Sequence, residues 1–442
     1  MSVFENPHRA ERAAPPAADE VWEFHRSLPG YEPTPLRDIG SALLKDESNR
    51  FGLPAFKILG ASWAVERTLR ERPDVHTLCA ASAGNHGRAV ARAAAWRGLR
   101  CTIFLPGGAL PVRADAIASE GAEVVRVDGP YEDAVAAAER MGEEPGVAAV
   151  QDVSYEPDAG GPPVWVIEGY STLFREVAEQ AGGPIDLVIV PVGVGSLCAA
   201  AVRYAAPAKV IGVEPVTAAC VTESLRAGEP VDVPTPGTTM AGLDCARPSA
   251  VAWPELHDGL DGTVTVTDEQ AAAAVRDLAS HGLAIGESGA AALAALHQLD
   301  AGDQRVVLIA SEGPTGRRTI DALLAQARTH LDRVGPQEAS DAAAAGALLI
   351  DIRSDHQREA DGVVPGAIYF PRNVLEWRCD PASEGHDPRV DSLDRPLIVM
   401  CNEGYASSLA ALTLQQIGFA NATDLDGGYQ AWRAAGLPTE KL

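Results

Sequence analysis

A lysine in an apolar segment is the first residue of this chain that could do chemistry. Only four of its 36 lysine and arginine residues are lysines. One of them, Lys57, lies among Phe56, Ile58 and Leu59, and such neighbours desolvate an ammonium and lower its pKa. A deprotonated amine is the nucleophile of Schiff-base chemistry, a role that arginine cannot fill because it stays protonated. The alternative is a lysine at a helix start with its ammonium in solvent. Lys45, flanked by acids, is expected to be an ion-paired strand end.

Three loops that follow apolar runs carry further candidates. Asn85, in S-A-G-N-H-G at 82–87, could present its amide to a ligand, although such a loop is also typical of a tight turn with a helix cap. Gly193 and Gly195, in V-G-V-G-S-L, would free backbone N–H groups at a helix N-terminus, which suits a phosphate. Ser311 follows R-V-V-L-I-A and places a hydroxyl at a third strand end.

Strands alternating with helices are needed to position these loops, and the sequence predicts them. Apolar runs indicate buried strands at 76–81, 101–106, 123–127, 147–152, 185–192, 208–215 and 305–311. Alanine-rich stretches between them, such as 88–97 and 131–141, indicate helices. This alternation is typical of an α/β fold with parallel sheets, in which ligands bind at the carboxyl ends of strands.

A second, smaller domain is expected at the C-terminus. Residues 331–346 show no clear apolar period and are interpreted as a linker after a first domain of residues 1–330. Residues 347–442 repeat the strand–helix pattern on a smaller scale. Cys401 follows the strand P-L-I-V-M and precedes a helix that begins near Ala406. Backbone N–H groups and the positive helix end favour a thiolate there; the alternative is a buried apolar cysteine.

Composition excludes several classes of function. The formal net charge of −25 argues against binding to a nucleic-acid backbone. The apolar runs are too short to span a membrane, and the polar N-terminus does not predict a secretory signal. Seven scattered cysteines without a C-x-x-C pair favour neither zinc binding nor a disulfide framework. A cytoplasmic protein without a metal site, and without membrane or nucleic-acid partners, is expected.

The order of lysine, asparagine loop, glycine loop and late serine resembles the fold-type-II family of pyridoxal-phosphate enzymes, the tryptophan synthase β-like group. Within that group the chain most resembles the diaminopropionate ammonia-lyases, over about residues 28–324. The resemblance rests on K-D-E-S-N-R-F-G-L-P-A-F-K, Q-D-V-S-Y-E, I-E-G-Y-S-T-L, V-G-V-G-S-L, T-T-M-A-G-L-D-C and G-E-S-G-A. It implies a two-lobed parallel-sheet fold with a smaller lobe at about 75–165, pyridoxal 5'-phosphate as the cofactor, and a homodimer.

The resemblance also implies roles for individual residues. Lys57 would hold the cofactor covalently, Asn85 would bind the pyridine hydroxyl and Ser311 would face the ring nitrogen. Asp152 matches the acid that acts on the L-isomer, although it could instead cap a loop after a strand. Ala83 stands where the lyases carry the acid thought to act on the D-isomer, so D-substrates are expected to be poor. The phosphate would be bound by Gly193, Val194, Gly195 and Ser196. Residues that could line the substrate pocket, or only cap and pack, are Ser82, His86, Asp244 and Glu287.

The implied reaction is β-elimination from a small L-amino acid such as L-2,3-diaminopropionate. It would run through an aminoacrylate to pyruvate and ammonia. A neutral hydroxyl at the ring nitrogen makes a weaker electron sink than a carboxylate and favours expulsion of the β-group.

Residues 347–439 resemble a rhodanese, or sulfurtransferase, module. Cys401 would then carry persulfide sulfur. Single-domain members commonly read C-x-x-G-x-R-S, but this chain has Ala406 at the arginine position and Glu403 beside the thiol. Anionic sulfur donors are therefore expected to bind poorly.

Two alternative functions remain open at this point. The first is a β-replacement or cysteine desulfhydrase reaction that uses sulfur carried on Cys401. The second is a non-catalytic sensor or scaffold that retains both folds. The complete set of Schiff-base lysine, asparagine, glycine loop and serine argues against the second alternative, because a binding-only protein has no need of the lysine.

Overall fold

Short buried strands alternate with helices along most of the chain, as the apolar runs predict. The computed structural model describes residues 3–11, 18–82, 84–129, 131–156, 159–314 and 320–442. The chain divides into two units, Met1–Gly316 and Arg317–Leu442. Both units have parallel sheets with helices between the strands, so the predicted α/β class is confirmed.

The strands, numbered along the chain, are β1 Phe4–Glu5, β2 Leu36–Asp38, β3 Leu43–Asp46, β4 Thr77–Ala81, β5 Arg100–Pro106, β6 Glu123–Val127, β7 Val147–Ala149, β8 Leu187–Pro191, β9 Lys209–Pro215, β10 Gly262–Val266, β11 Val306–Ala310, β12 Leu348–Asp351, β13 Ile368–Tyr369, β14 Leu397–Met400 and β15 Ala422–Asp424. The helices are α1 Asp19–Ser27, α2 Lys57–Glu71, α3 Asn85–Trp96, α4 Pro111–Ala118, α5 Tyr131–Gly142, α6 Pro162–Gly169, α7 Ser171–Gln180, α8 Ser196–Tyr204, α9 Cys220–Ala227, α10 Trp253–Gly259, α11 Asp268–Ser280, α12 Glu287–Leu296, α13 Ile320–Thr329, α14 Pro336–Ala344, α15 Asp355–Asp361, α16 Leu375–Cys379, α17 Ala406–Gln416 and α18 Gly428–Ala434. A 3₁₀ turn covers Arg372–Val374.

The first unit is built on two sheets. The larger has the strand order β1-β10-β9-β8-β11-β3-β2, with parallel pairing from β10 to β3 and antiparallel strands at both edges. The smaller has the order β6-β5-β4-β7 and is parallel throughout. Every residue of β4, β8 and β11 is buried, as expected for strands covered on both faces. Their apolar composition is why the sequence predicts them well.

The predicted functional loops all leave the carboxyl ends of parallel strands. Segment 82–87 follows β4, Asp152 comes shortly after β7, segment 192–197 follows β8, and Ser311 follows β11. Such ends are where α/β sheets bind their ligands.

The second unit has the parallel strand order β13-β12-β14-β15. It begins before the predicted linker, and the segment 331–346 is not irregular, because it contains α14. Pro336 lies in the first turn of that helix, and the Glu338 side chain accepts a hydrogen bond from Gly335 N–H at 2.8 Å. Only Ala339 of α14 is buried, which explains why no apolar period indicates the helix.

Among the described residues, no helix is both long and apolar enough to cross a membrane. The same part of the chain holds no group of three or more His, Cys, Asp or Glu side chains placed to bind a metal ion.

Candidate active site

Lys57 begins α2, and the end of β11 fixes where that helix starts. The backbone of Ala55 forms an isolated bridge with Glu312, and Phe56 N–H donates to the carbonyl of Ser311 at 3.4 Å. The next residue is Lys57, whose side chain retains 24% exposure. Two loops that are distant in the sequence are thereby joined at one strand end.

The Lys57 amine donates to Asp152 Oδ2 at 2.7 Å. Burial lowers the pKa of Lys57, as its apolar neighbours predict, but the Asp152 carboxylate outweighs burial and raises that pKa well above its ordinary value. The expectation of a lowered pKa is therefore wrong, because the acidic partner lies 95 residues away along the chain and cannot be recognised from local sequence. Burial raises the pKa of Asp152, but the adjacent basic groups His86 and Lys57 outweigh it and hold that pKa well below the ordinary range.

Lys45 is as buried as any side chain in the protein. Its amine donates to Glu176 at 2.6 Å and to the carbonyl of Thr34 at 2.7 Å. Arg50 donates to the same glutamate, and burial lowers the pKa of Lys45. This lysine is ion-paired, as its acidic surroundings suggest, and its amine is enclosed by a network of bonded side chains.

Three further side chains lie near the Lys57–Asp152 pair: His86 and Tyr170 are buried and Cys245 is half-buried. His86 Nδ1 lies 3.7 Å from Asp152 Oδ2. The Tyr170 hydroxyl has no hydrogen-bond partner among the described residues, and it is close enough to Lys57 and Asp152 for their charges to act on its pKa. Cys245 is also near Lys57, and burial raises the pKa of its thiol to about 12. Tyr170 and Cys245 were not predicted, although both lie within quoted motifs.

The glycine loop after β8 presents unused donors. In the described chain, the backbone N–H groups of Gly193, Val194, Gly195 and Ser196 donate to no protein acceptor. They precede or begin α8, where the helix dipole favours an anion. Gly195 has φ +99°, and a Cβ there would lie 2.5 Å from Leu256 Cδ1. The Ser196 hydroxyl donates to the Asp152 carbonyl at 2.9 Å, so this residue links the loop to the acid.

Asn85 begins α3 and its amide donates to Glu312 Oε2 at 2.6 Å. Glu312 is buried, and burial raises the pKa of its carboxyl. Gly242 lies against the same carboxylate, because a Cβ on Gly242 would be 3.6 Å from Glu312 Oε2. Sequence reasoning named Asn85 and missed Glu312, although Glu312 directly follows Ser311.

Ser82, Ser311, Glu287 and Asp244 are the other described residues that were named from the sequence. Ser82 is buried and its hydroxyl accepts from Gly84 N–H at 3.2 Å. Ser311 is buried at the end of β11, while Glu287 begins α12 and is half-buried. Asp244 is exposed next to Cys245. Ala83 lies outside the described residues.

The second unit places Cys401 in a loop between β14 and α17. The Cys401 sulfur accepts from Gly404 N–H at 3.2 Å and lies 3.2 Å from the Ser407 hydroxyl. The cysteine is 8% exposed. Arg328, on α13, donates to the Gly404 carbonyl at 2.9 Å. Arg328 thus holds the backbone of the Cys401 loop from outside, whereas the position within the loop where rhodaneses commonly have an arginine is Ala406.

Comparison with known proteins identifies both units. The family model described as pyridoxal-phosphate dependent enzyme matches residues 28–312. The chain belongs to the pyridoxal-phosphate dependent enzyme family. A rhodanese-like domain model matches residues 335–435.

Three relatives within the pyridoxal-phosphate dependent family are informative. A diaminopropionate ammonia-lyase of Salmonella typhimurium is 34% identical, over 67% of this chain and 89% of that protein. The biosynthetic L-threonine dehydratase of Escherichia coli is 31% identical, over 58% of this chain and 49% of that protein. The crystal structure of Escherichia coli diaminopropionate ammonia-lyase, in complex with an aminoacrylate-PLP azomethine reaction intermediate, matches with a TM-score of 0.65 and 30% identity, over 71% of this chain and 96% of that one.

The site fits the cofactor of this family. Pyridoxal phosphate needs an amine to bond its aldehyde and a cradle for its phosphate. Lys57 provides a half-buried amine, and the unused N–H groups of 193–196 provide the cradle. The unbonded Tyr170 hydroxyl and His86 Nδ1 are polar atoms that the protein itself leaves without a partner among the described residues.

Proposed function

We propose that the first unit eliminates ammonia from a small L-amino acid such as L-2,3-diaminopropionate, giving pyruvate and ammonia. The observation that carries this proposal is the 2.7 Å contact between Lys57 and Asp152. This contact supports a carboxylate acting beside the lysine that we propose binds the cofactor, and Ala83 leaves no acid at the position implied to act on the D-isomer.

Bound pyridoxal phosphate would supply the electron-withdrawing system that makes the hydrogen on the substrate Cα acidic. The chain supplies the rest. The N–H groups of 193–196 would hold the phosphate, Asn85 would bind the pyridine hydroxyl, and Ser311 would face the ring nitrogen. Asp152 would accept the proton from the Cα of an L-substrate, because its carboxylate is ionised near pH 7 and lies beside Lys57.

The substrate is tested with a panel under one set of conditions. We expect pyruvate and ammonia from L-2,3-diaminopropionate, and much less product from the D-isomer, serine, threonine and cysteine.

Asp152→Asn should lower turnover of the L-isomer by about 10²–10⁴-fold, the usual contribution of a positioned base. The matched control is Asp303→Asn, at an exposed loop position. Equal turnover of both diaminopropionate isomers by the unmodified protein would contradict the proposed role of Asp152.

The second unit favours a sulfur-carrying function at Cys401, because its sulfur already accepts a backbone N–H hydrogen bond at 3.2 Å. Such a donor would stabilise the negative charge of a thiolate or persulfide anion. We expect a labelled persulfide after incubation with a persulfide donor, lost in Cys401→Ser and retained in Cys379→Ser, where the cysteine is fully buried. A label that survives Cys401→Ser would place the sulfur elsewhere. If cysteine were the only compound of the panel to be turned over, with release of sulfide, the desulfhydrase alternative would be favoured over elimination of ammonia from diaminopropionate.

A further inference from the structure

Two basic side chains face one oxygen of Asp152. The Lys57 amine lies 2.7 Å from Oδ2, and His86 Nδ1 lies 3.7 Å from the same atom. The Asp152 side chain is 13% exposed and that of His86 is 4% exposed. Water therefore has little access, and the charge on this carboxylate must be balanced by its neighbours.

The hydrogen bonds of His86 determine which ring nitrogen faces Asp152 without a proton. Nε2 lies 2.8 Å from the carbonyl oxygen of Val150. A carbonyl only accepts, so Nε2 carries a hydrogen. In the neutral ring Nδ1 is then a bare lone pair, and it has no hydrogen-bond partner in the described structure. A lone pair pointing towards a carboxylate is unfavourable, whereas a proton on Nδ1 would turn the contact into a charge-assisted hydrogen bond.

Within the described part of the chain, no further group that acts on Lys57 and Asp152 can supply positive charge. Tyr170 and Cys245 are the other titratable groups that act on Lys57. Burial raises the pKa of both, so each is neutral near pH 7. Lys57 and His86 are the two groups acting on Asp152 that can be cationic.

Pyridoxal phosphate changes what Lys57 can donate. A free ammonium carries three protons, whereas a lysine nitrogen doubly bonded to the cofactor aldehyde carbon carries at most one. We propose that His86 replaces Lys57 as the proton donor to Asp152 Oδ2 once the Lys57 nitrogen is bonded to the cofactor. The proton on Nδ1 is taken up from solvent, and no electrons are transferred. This inference rests on the proposed roles of Lys57 and Asp152 and assigns His86 as a positioning residue that keeps Asp152 ionised.

The electrostatics of His86 point the same way. Burial lowers its pKa, the Asp152 carboxylate raises it, and the Lys57 ammonium lowers it again. Removing the ammonium removes one of the two effects that lower the pKa of His86, so we expect this histidine to titrate at a higher pH. The contact must also shorten by about 1 Å to reach hydrogen-bond distance, and we expect a small movement of the Asp152 side chain to provide this once Lys57 no longer donates to it.

The direct test is a pH titration of the histidine ring nitrogens by NMR in the full-length, ¹⁵N-histidine-labelled protein. Spectra are compared without cofactor, loaded with pyridoxal phosphate, and for cofactor-free Lys57→Met, with His86 signals assigned from His86→Gln. We expect His86 to titrate at higher pH in the loaded protein and in Lys57→Met than in the cofactor-free protein. Asp152→Asn should lower the titration midpoint of His86 in every sample and reduce the increase, leaving only the part that comes from loss of the Lys57 ammonium. The same titration midpoint in all of these samples would overturn the proposal.

His25 is a matched internal control. Its Nε2 lies 3.0 Å from the Leu59 carbonyl, but its Nδ1 faces the Thr172 hydroxyl instead of a carboxylate. Burial lowers its pKa to about 3. Its signals should therefore stay those of a neutral ring in every sample, and a parallel shift of His25 would contradict a specific effect at Asp152.

Steady-state kinetics provide a second test, because a purely structural role of His86 would not change the pH dependence of kcat. In His86→Gln the side-chain amide can still donate to Asp152, but it carries no charge. We expect kcat to fall with little change in KM, and the acidic limb of the kcat profile to move to higher pH because Asp152 protonates more readily. His86→Ala should move that limb further, and an unshifted limb in both variants would contradict the assignment. The NMR result does not depend on substrate, so failure of the proposed reaction leaves this test intact.

Discussion

At the scale of single residues, the site depends on a charge pair that only the fold creates. Local sequence identifies Lys57 from its apolar neighbours, and the same neighbours lower its pKa. The opposite net shift arises because the chain returns with Asp152 to within 2.7 Å of the amine. Tyr170 and Glu312 were missed for the same reason: a tyrosine after a helix and a glutamate after a strand are ordinary residues until folding places them beside Lys57 and Asn85.

Substrate stereochemistry is a prediction at this scale. The chain has Asp152 but carries Ala83 in the loop where related lyases have an acid. Ala83→Asp should raise turnover of D-2,3-diaminopropionate by about 10²-fold or more, the lower end of what a positioned base contributes. Turnover of each isomer is measured by pyruvate release. In the double variant with Asp152→Asn, activity should persist for the D-isomer and be lost for the L-isomer. Loss of both activities in the double variant would show that the two acids do not act on separate faces.

At the scale of elements, most strands could be predicted from apolar runs, whereas β1, β2, β10 and helix α14 were not predicted. Buried parallel strands must be apolar on both faces, so β4, β8 and β11 show as continuous apolar runs. Helix α14 shows no apolar periodicity in the sequence, because Ala339 is its one buried residue. The approach of α2 to α6 was also not predicted, because it depends on glycines whose role is visible only in the packed structure.

The contact between α2 and α6 gives a prediction about Gly60. A Cβ at Gly60 would lie 2.7 Å from Tyr170 Cε1 and 2.8 Å from Val166 Cγ1. Gly60→Ala gains about 1 kcal/mol of helix propensity but should still be destabilising, since overpacking a core costs about 1–3 kcal/mol. It should also weaken cofactor binding, because Lys57 begins the displaced helix. Urea unfolding and cofactor titration measure the two effects.

Gly108→Ala is the matched control for that variant. A Cβ at Gly108 has no neighbour within 4 Å, and its φ is not in the left-handed region. We expect its stability to stay within about 0.5 kcal/mol of the parent protein, as for most surface substitutions. If Gly60→Ala behaves like Gly108→Ala, then the two helices have room to separate without disturbing Lys57.

At the scale of the whole molecule, one rule of parallel sheets accounts for both candidate sites. Ser311 follows β11 in the first unit and Cys401 follows β14 in the second. In each case the strand is buried, and the loop that carries the candidate residue begins where the hydrogen bonding of that strand to its neighbours ends. This regularity allowed the sequence to locate both loops. It gives no information about domain boundaries, which depend on which helices pack with which sheet.

The boundary between the units can be tested with two C-terminal fragments. The absence of apolar periodicity places the end of the first domain at residue 330, whereas α13 belongs to the second unit. Arg328 on that helix donates to the Gly404 carbonyl at 2.9 Å and to the Ser408 hydroxyl at 3.3 Å, and Leu324 is buried. A fragment of residues 317–442 should therefore be more stable to urea than 331–442. The difference should be at least about 1.5–3 kcal/mol, the contribution of one large buried apolar side chain.

Substitutions within the longer fragment separate the hydrogen bonds of α13 from its apolar contacts. Arg328→Ala should lose part of the stability difference, because the Gly404 carbonyl and the Ser408 hydroxyl each lose a charged donor. It should also loosen the Cys401 loop, measured as faster alkylation of that thiol. Arg372→Ala is the control, since this arginine forms a partly exposed pair with Glu376 one turn further along the chain, and pairs at the surface contribute only about 0–1 kcal/mol. Equal stability of the two fragments would instead place the boundary at residue 330, because α13 would then add nothing to the fold that carries Cys401.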